Sequence, residues 1–505
     1  MTPEKFMKNN FLYSDGRLSI KLIALVNIAL SLCIIAFDPV LNRDAITYLL
    51  AAEAYIDSGI TASLEVYSWP FFPVLFATIH QITFIPLHLA ALLVVSVGFF
   101  LTSYAFVRIV AEMGGSSRAQ LFGLIIITFH PFIADYRSSI MRDSGMWAFM
   151  LLAMLELIRY SQHPTKLHQF KWMIYIGVAL LFRIETLAIA LLSPLSLLAT
   201  GQDRLKERIT ATLQFYIPLL VAAGIIGAAL LLTTENSGGQ LKLLGDMKFY
   251  TAYLSELSTI IDRNSSILSN SMISYTARED AGYAVIAVFF TICFINIFRA
   301  ITPIYLIALI SSKLSSVKTF TCANADAIIK VHLLIIGTYL VLFTISRQFN
   351  LERYSFQFVI IILLYLPFII ESIWWSTRLQ RASRIISIFI FAGYALDTMI
   401  NSDYKKNYIN EAAVWLKTET PVDAKIISNH HHIAYFSGKQ ENIKRALLNK
   451  YDDNEEAWEK GITYAFHAKS RNADSLRKRI KTRTTNNIKE FRGKDGGIVI
   501  IFKLT

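Results

Sequence analysis

The sequence predicts an all-α polytopic membrane protein, with about eleven transmembrane helices and some interfacial ones, followed by a small C-terminal α/β domain. Hydrophobic residues make up 54% of the chain and charged residues only 17%, whereas a soluble protein carries about 25% charged residues. The apolar residues also form long uncharged blocks, such as 87–107 and 356–370. Blocks of this length cross a bilayer as helices, because lipid offers the backbone no other hydrogen-bond partners.

Charged breaks between the apolar blocks divide the first 400 residues into predicted spans. These spans are 19–37, 86–108, 119–134, 145–160, 171–182, 186–199, 212–232, 282–310, 329–346, 354–373 and 385–400. Residues 71–85 are apolar as well, but they are short and lie among prolines 70, 73 and 86, so we expect an interfacial helix there. The first block has no small-residue cleavage site after its basic flank, which favours an uncleaved first helix.

Lysine and arginine set the predicted orientation of the spans. They concentrate in alternate breaks, for example 159–171 and 204–208, which we therefore expect to face the cytoplasm. The other breaks, at 38–70, 135–144, 183–185, 233–281 and 347–353, then lie outside. An odd number of spans places the tail outside too.

The tail, residues 401–505, reads as a soluble α/β domain. A helix is expected at 411–418 and strands at 424–428, 462–466 and 498–502, with Gly, Asn and Asp clusters between them. His430, His431 and His432 fall in a segment expected to be extended, where neighbouring side chains point to different sides. We therefore expect polar surface there rather than a metal site.

The first predicted outer loop carries an acidic residue at the start of an amphipathic helix. Asp44, Tyr48 and Tyr55 share one face of that helix, and Gly59 is expected to end it. Apolar residues on the remaining surface could lie on the membrane. A simpler interpretation is that Asp44 only caps the helix.

Further charged residues stand at the edges of later spans on the same side. Arg142 and Asp143 precede the fourth span, and Arg183 and Glu185 occupy a tight turn between two short spans. Charges in such a turn are costly unless they are used or solvated. The alternatives are a helix cap at Asp143 and a plain surface turn at 183–185.

Arg353 and Tyr354 begin a late span on the same predicted side. Arg353 could simply extend to the lipid headgroups. Together, however, two carboxylates and three arginines at one membrane face suit transfer of a sugar from a lipid phosphate. A carboxylate can act as general base on an acceptor hydroxyl, and arginine forks offset the charge of a departing phosphate.

The order of these motifs resembles that of the GT-C membrane glycosyltransferases, in particular the branch of the protein O-mannosyltransferases and the lipid A aminoarabinose transferase. The matching features are Asp44, Tyr48 and Ser58-Gly59 in the first outer loop, YSWPFFPVL at 67–75, Asp143, Arg183, Arg353-Tyr354 and the tail segment 415–439. Two positions depart from the family pattern. Ala45 stands where members often have Glu, and Trp69 stands where some have Lys, which leaves a divalent metal requirement open.

The resemblance implies a GT-C-type catalytic domain at 1–400 and an extracytoplasmic domain at 401–505. It implies an inverting transferase that takes a sugar from a polyprenyl-phosphate donor, similar to undecaprenyl phosphate, and passes it to a glycan, lipid or protein acceptor. The expected location is the bacterial inner membrane, with the active site on the periplasmic or extracellular side and no nucleic acid partner. Expected roles are catalytic for Asp44 and Asp143, donor-phosphate binding for Arg142, Arg183 and Arg353, and substrate binding for Tyr48, Tyr354 and Glu185.

Three other functions remain open from the sequence. A lipid-linked sugar flippase or transporter usually places ionisable groups at mid-membrane and shows internal repeats. A membrane scaffold whose tail binds a partner would need no acid at position 44. A polysaccharide ligase or polymerase acts at the same membrane face, although such enzymes tend to have a large outer loop between late spans.

Overall fold

The computed structural model describes residues 12–14, 16–36, 40–201, 204–233, 256–314, 322–375, 385, 388–394, 406–438, 443–445, 461–481 and 489–503. This part of the chain is mostly helical and ends in a small sheet, as the sequence predicts. Much of the predicted loop 233–281 and of the last predicted span lies outside the described residues.

A β-hairpin of β1 (Tyr13–Ser14) and β2 (Arg17–Leu18) precedes the helical part. The α-helices that follow are α1 (Ile20–Ala36), α2 (Arg43–Val66), α3 (Phe71–Thr83), α4 (Leu87–Glu112), α5 (Ser117–Thr128), α6 (Pro131–Arg137), α7 (Asp143–Gln162), α8 (Lys166–Phe182), α9 (Thr186–Leu192), α10 (Leu205–Thr233), α11 (Leu257–Ser271), α12 (Ala281–Ile301), α13 (Pro303–Leu314), α14 (Ala323–Arg347), α15 (Glu352–Ile362) and α16 (Leu366–Trp375). Short 3₁₀ turns at Ser193–Ala199, Tyr275–Asp280 and Leu363–Tyr365 extend or join neighbouring helices.

Four helical stretches are long and apolar enough to cross a membrane: Leu87–Glu112, Tyr275–Ile301, Ala323–Arg347 and Glu352–Trp374. A fifth is added if α5 and α6, which are bent by 52° relative to each other, form one span. The described chain is therefore that of a multi-pass membrane protein. The larger number of spans stays a prediction, because the helices at two of the predicted spans, Ile20–Cys33 and Thr186–Ala199, are apolar but short.

Two predicted spans are each two helices in the structure: 119–134 is divided between α5 and α6, and 282–310 is divided between α12 and α13. The prediction of an unbroken span at 282–310 is wrong, because α12 ends at Ile301 and α13 starts at Pro303. Thr302 between them has a positive φ of 72°. Proline lacks the N–H that would continue the helix, and it disfavours the helical conformation of the residue before it.

The C-terminal domain is a five-stranded sheet with helices on both faces. Its elements are α17 (Asn407–Glu419), β3 (Ile426–Ser428), α18 (His431–Phe436), β4 (Ile443–Arg445), β5 (Thr463–Ala468), α19 (Ser470–Lys481), β6 (Lys489–Arg492) and β7 (Ile498–Lys503). The strand order is β4-β3-β5-β7-β6. Strand β3 is parallel to β4 and β5, whereas β7 is antiparallel to β5 and β6.

Alternation along the strands explains the two layers of this domain. Ile426, Ala465 and Val499 pack with α17 and α18 on one face. Ile427, Tyr464, Phe466 and Phe502 pack with α19 on the other. The strands are thus apolar on both sides, and the domain has a core on each face of its sheet.

Helix α18 joins this domain to the membrane part. Nδ1 of His432 accepts a hydrogen bond from the backbone N–H of Leu41 at 3.0 Å, and the Tyr435 hydroxyl donates to Oε1 of Glu53 at 2.5 Å. His432 is only 4% exposed. The expectation of an extended, polar surface at 430–432 is therefore wrong, since His431 starts a helix and His432 is an interdomain contact.

Candidate functional site

Helix α2 carries Asp44 in its first turn. The residue before the helix is Asn42, so the interpretation of Asp44 as the cap is wrong. The Asn42 carboxamide accepts from Ile140 N–H at 3.1 Å and donates to Ile140 C=O at 3.5 Å. This pair fixes the start of α2 against the segment that leads into α7. A carboxylate in the first turn is also favoured by the helix dipole.

A close approach of α7 and α8 brings Arg183 to Asp143. A Cβ on Gly145 would overlap the Phe182 ring, so only glycine leaves room for Phe182 at this point of α7. Arg183 follows Phe182 directly, and Asp143 opens α7 two residues before Gly145. The contact between the two helices therefore determines where the Arg183 side chain lies.

Arg183 is buried between two carboxylates. Its Nη1 pairs with Oδ1 of Asp143. Its Nη2 lies 2.8 Å from Oε1 of Glu185, and its Nε lies 3.3 Å from Oε2. Burial raises the pKa of Glu185, but Arg183 and Arg142 lower it further, to about 2. Glu185 is therefore a carboxylate at neutral pH.

Arg353 links a second carboxylate to the same place. Its Nη1 lies 2.7 Å from Oδ2 of Asp44, and its Nη2 donates to the Tyr354 hydroxyl at 3.0 Å. The guanidinium of Arg183 lies over the Tyr354 ring, 4.9 Å from its centroid. Tyr354 thus separates the two arginines. The Asp44 side chain is 39% exposed, compared with 4% for Asp143, so Asp44 is the more accessible acid.

Arg142 differs from the other two arginines. Among the described residues its guanidinium forms no ion pair with a carboxylate, and it lies 5.6 Å from the centroid of the Tyr67 ring. Tyr67 in turn packs edge-on against Tyr48, with 5.1 Å between the ring centroids. Burial raises the pKa of Tyr48 well above its ordinary value, so its hydroxyl stays neutral.

Seven of the eight predicted site residues line one cavity of about 210 Å³. They are Asp44, Tyr48, Arg142, Asp143, Arg183, Arg353 and Tyr354. The eighth, Glu185, does not line the cavity but forms an ion pair with Arg183. Residues that are almost 310 positions apart in the chain therefore meet at one site, and the geometry leaves their individual roles as predictions.

Two lining residues were not among the predicted site residues. Thr47 and Tyr67 complete the wall of the cavity. Tyr67 belongs to the YSWPFFPVL segment, which matches the family pattern in the sequence, but its aromatic residues were given no role there. In the same segment, Trp69 Nε1 donates to the Leu181 carbonyl at 2.7 Å and so ties the loop before α3 to the end of α8. Among the described residues, no group of three or more His, Cys, Asp or Glu side chains is placed to hold a metal ion.

No family model and no curated protein matches this chain. Solved structures of GT-C glycosyltransferases are similar to it at low identity. The archaeal oligosaccharyltransferase AglB from Archaeoglobus fulgidus, in complex with an inhibitory peptide and a dolichol-phosphate, is 12% identical with a TM-score of 0.43, over 84% of this chain and 64% of its own. ArnT from Cupriavidus metallidurans, bound to undecaprenyl phosphate, is 11% identical with a TM-score of 0.40, over 95% and 97%.

The arabinofuranosyltransferase AftD from Mycobacteria is 13% identical with a TM-score of 0.44, over 82% of this chain and 31% of its own. The chain thus spans less than two thirds of the length of AglB and of AftD. Similarities of this size do not assign the chain to a family. Its function has to be argued from the site itself.

Proposed function

We propose that this chain is an inverting membrane glycosyltransferase of the GT-C type, which moves a sugar from a polyprenyl-phosphate donor to a glycan, lipid or protein acceptor. One observation carries the proposal. An accessible carboxylate, Asp44, and three guanidinium groups share the wall of one cavity, and one of these groups, Arg353, stands at the start of the apolar stretch Glu352–Trp374. This combination supplies a base for the acceptor and cations for a phosphate.

The reaction follows from these groups. The acceptor hydroxyl oxygen attacks the anomeric carbon of the donor sugar, and Asp44 takes the hydroxyl proton. The bond between that carbon and the phosphate oxygen breaks with inversion, and the polyprenyl phosphate leaves as an anion. No general acid is needed, because this leaving group is stable without a proton. Asp44 then loses its proton to solvent.

The three arginines have different proposed roles toward the donor phosphate. Arg142 has no carboxylate partner among the described residues, so its donors are free to meet the donor phosphate. Arg183 and Arg353 are held in place by their carboxylates and present fixed positive charge to the leaving group. Asp143 supports the reaction by holding Arg183. Tyr48 and Tyr354 line the walls, Tyr354 also contacts Arg353, and Glu185 orients Arg183.

The proposal also covers the location of the site. We assign catalysis to residues 1–400, in the bacterial inner membrane, and place the cavity and the domain 401–505 on the periplasmic or extracellular side. The charge bias of the predicted loops supports this orientation. The contact of α18 with α2 supports a common side for the cavity and the C-terminal domain.

Asp44→Asn is the direct test, with Asp57→Asn as its matched control further along α2. We expect Asp44→Asn to lower the rate of sugar transfer in vesicles by on the order of 10²- to 10⁴-fold, the usual contribution of a general base. Binding of the lipid donor should persist. Asp57 is exposed and does not line the cavity, so Asp57→Asn should transfer sugar normally.

Unchanged turnover in Asp44→Asn would reject the enzymatic proposal. That result would instead suit a lipid-linked sugar flippase or a scaffold, neither of which requires a base at this position. A polysaccharide ligase or polymerase would lose activity like a single-sugar transferase, and the size of the transferred glycan, read by mass spectrometry, separates the two.

A further inference from the structure

A second and larger cavity lies between the C-terminal domain and the predicted outer loops. It measures about 880 Å³, which is within the range of about 300–1,000 Å³ for small-molecule sites. We call it the interdomain cleft. The membrane part contributes Leu41 to Arg43 and residues near Ser138, and the domain contributes residues around Lys406, His430 and Arg471.

The charged residues of the interdomain cleft are mostly cationic. Its walls carry Arg43, Lys406, Lys469 and Arg471 but only two carboxylates, Asp135 and Asp495. Two of its histidines add hydrogen-bonding groups without charge. Burial lowers the pKa of His430 to about 3 and that of His467 to about 4, so both are neutral at pH 7.

His430 gives the cleft an unused buried hydrogen-bonding atom. Its Nδ1 is buried and has no hydrogen-bond partner among the described residues. The ring packs edge-on against His467, with 4.9 Å between the centroids. Buried polar atoms are normally satisfied by protein, water or a ligand. An atom of this kind in the wall of a cavity points to a polar ligand.

We call the cavity of about 210 Å³ that holds the proposed base the catalytic cavity. The interdomain cleft and the catalytic cavity are built from the same two segments of the chain. Arg43 lines the cleft, and the next residue, Asp44, lines the catalytic cavity. Likewise Ser139 lines the cleft, and Arg142 lines the catalytic cavity. The hydrogen-bonded pair of Asn42 and Ile140 stands between them. A molecule in the cleft therefore lies beside the wall that carries the proposed base.

We propose that the interdomain cleft binds the acidic part of the acceptor, a saccharide that bears phosphate or carboxylate. The inference rests on the proposed function in one respect only, because that function supplies the need for an acceptor. The walls carry four cations against two carboxylates, so an acidic group adds negative charge that a neutral sugar does not. A cavity of about 880 Å³ suits a few sugar units rather than the surface of a folded protein.

The experiment measures binding of three probes to the purified full chain: glucose 1-phosphate, glucuronic acid and glucose. We expect the two acidic probes to bind and glucose to bind at least tenfold more weakly. The double variant Lys469→Gln/Arg471→Gln should weaken binding of the acidic probes by on the order of tenfold, because each removes a charge-assisted contact. Both residues are exposed, so the fold should tolerate the change.

Two controls locate the binding. Lys425→Gln/Lys503→Gln removes the same charge from exposed lysines at a different cavity of the same domain and should bind like the unaltered chain. Glucose, which carries no charge, is the second control, and its weak binding should be the same in both double variants and in the unaltered chain. Preference between the two acidic probes tells whether the natural group is a phosphate or a carboxylate.

Two results would overturn the inference: equal binding of glucose and the acidic probes, or equal losses of acidic-probe binding in the two double variants. Because the readout is binding and not transfer, a negative result here leaves the role of Asp44 intact. Conversely, an active Asp44→Asn would reject the transferase while leaving the cleft as an acidic-saccharide site.

Discussion

Helix α7 has a charged cluster at each end, and the two clusters use the same residue types for different purposes. Asp143 in the first cluster and Arg159 in the second are 16 residues apart on this 20-residue helix, which corresponds to about 24 Å. At the first end, Asp143 and Arg183 line the cavity that we propose for catalysis. At the last end, Arg159 lies between Glu112, at 3.0 Å, and Glu156, at 2.9 Å. Nδ1 of His168 contacts the other oxygen of Glu156 at 2.6 Å.

The difference is in how the charges are partnered. At the last end both carboxylates are largely buried and paired with Arg159. The Glu156 side chain is 2% exposed and that of Glu112 is 9% exposed. At the first end Asp44 is 39% exposed, and Arg142 has no carboxylate partner among the described residues. An ion-pair network indicates a functional site when it leaves an accessible acid and an unpaired cation beside a cavity.

The largest effect is expected from Arg183→Gln. It leaves Asp143 and Glu185 buried without their shared cation, which should lower the free energy of unfolding by about 3–5 kcal/mol. Sugar transfer per folded molecule should fall by on the order of 10² or more, because fixed charge at the leaving group is lost. Thermal unfolding in detergent and transfer assays measure the two effects.

Arg159→Gln at the other end is the matched control for that change. It should also destabilise the protein, by about 1–3 kcal/mol, because Glu156 loses a partner. Turnover per folded molecule should nevertheless stay as it is in the unaltered chain. If Arg159→Gln lowered turnover as much as Arg183→Gln, the contrast between the two ends of α7 would be wrong.

A smaller effect is expected from Arg142→Gln, which tests whether a cation without an ion pair matters for donor binding rather than for stability. Because Arg142 has no ion pair to lose among the described residues, the free energy of unfolding should change by less than about 1 kcal/mol in either direction. The KM for the polyprenyl-phosphate donor should rise by on the order of tenfold. Steady-state kinetics with varied donor separates KM from kcat, and unaltered donor affinity would argue against a phosphate at Arg142.

The smallest effect concerns pH and the contact of α18 with the membrane part. Burial lowers the pKa of His432 to about 3, whereas an unfolded histidine titrates near 6.5. The neutral form is therefore favoured by folding. Its contribution is complete above pH 6.5 and is lost as the pH falls from there towards 3.

Between pH 8 and pH 6 this loss amounts to about 1 kcal/mol. Hydrogen exchange of peptides that cover residues 431–436 should show faster opening at pH 6 than at pH 8. In His432→Gln that pH dependence should be weaker, since Gln can accept the Leu41 hydrogen bond without titrating. His163→Gln, at an exposed position, should retain it, and equal slopes in both variants would exclude His432 as the cause.

Much of the site could be predicted because its residues stand at the edges of apolar blocks. Asp44, Asp143, Arg183 and Arg353 each interrupt such a block, and a charge beside lipid is costly unless it has a partner. Sequence reasoning could not assign the partners. Arg183 reaches Asp143 because α7 packs closely against α8, which Gly145 permits, whereas Arg353 reaches Asp44 because the start of α15 meets the start of α2.

The misjudged elements share a physical cause as well. Pro303 is a local signal for a helix break after Thr302. The apolar run continues across both residues, however, and its length favoured the prediction of a single span. Helix α18 has only six residues, too few for a helical pattern to emerge. The burial of His432 against Leu41 could not be seen in either segment alone, because 391 residues separate them.

The sequence by itself determined that the chain is apolar in long blocks, that its tail is a separate polar α/β segment, and that acids and arginines recur at the block edges. These are local properties, fixed by composition and by the need of the backbone to bond to itself in lipid. The tertiary structure alone decided which charges pair, which carboxylate stays open, and that a cleft with mostly cationic charges shares two chain segments with the cavity proposed for catalysis. Such features arise where distant segments meet, and no single segment contains the contact.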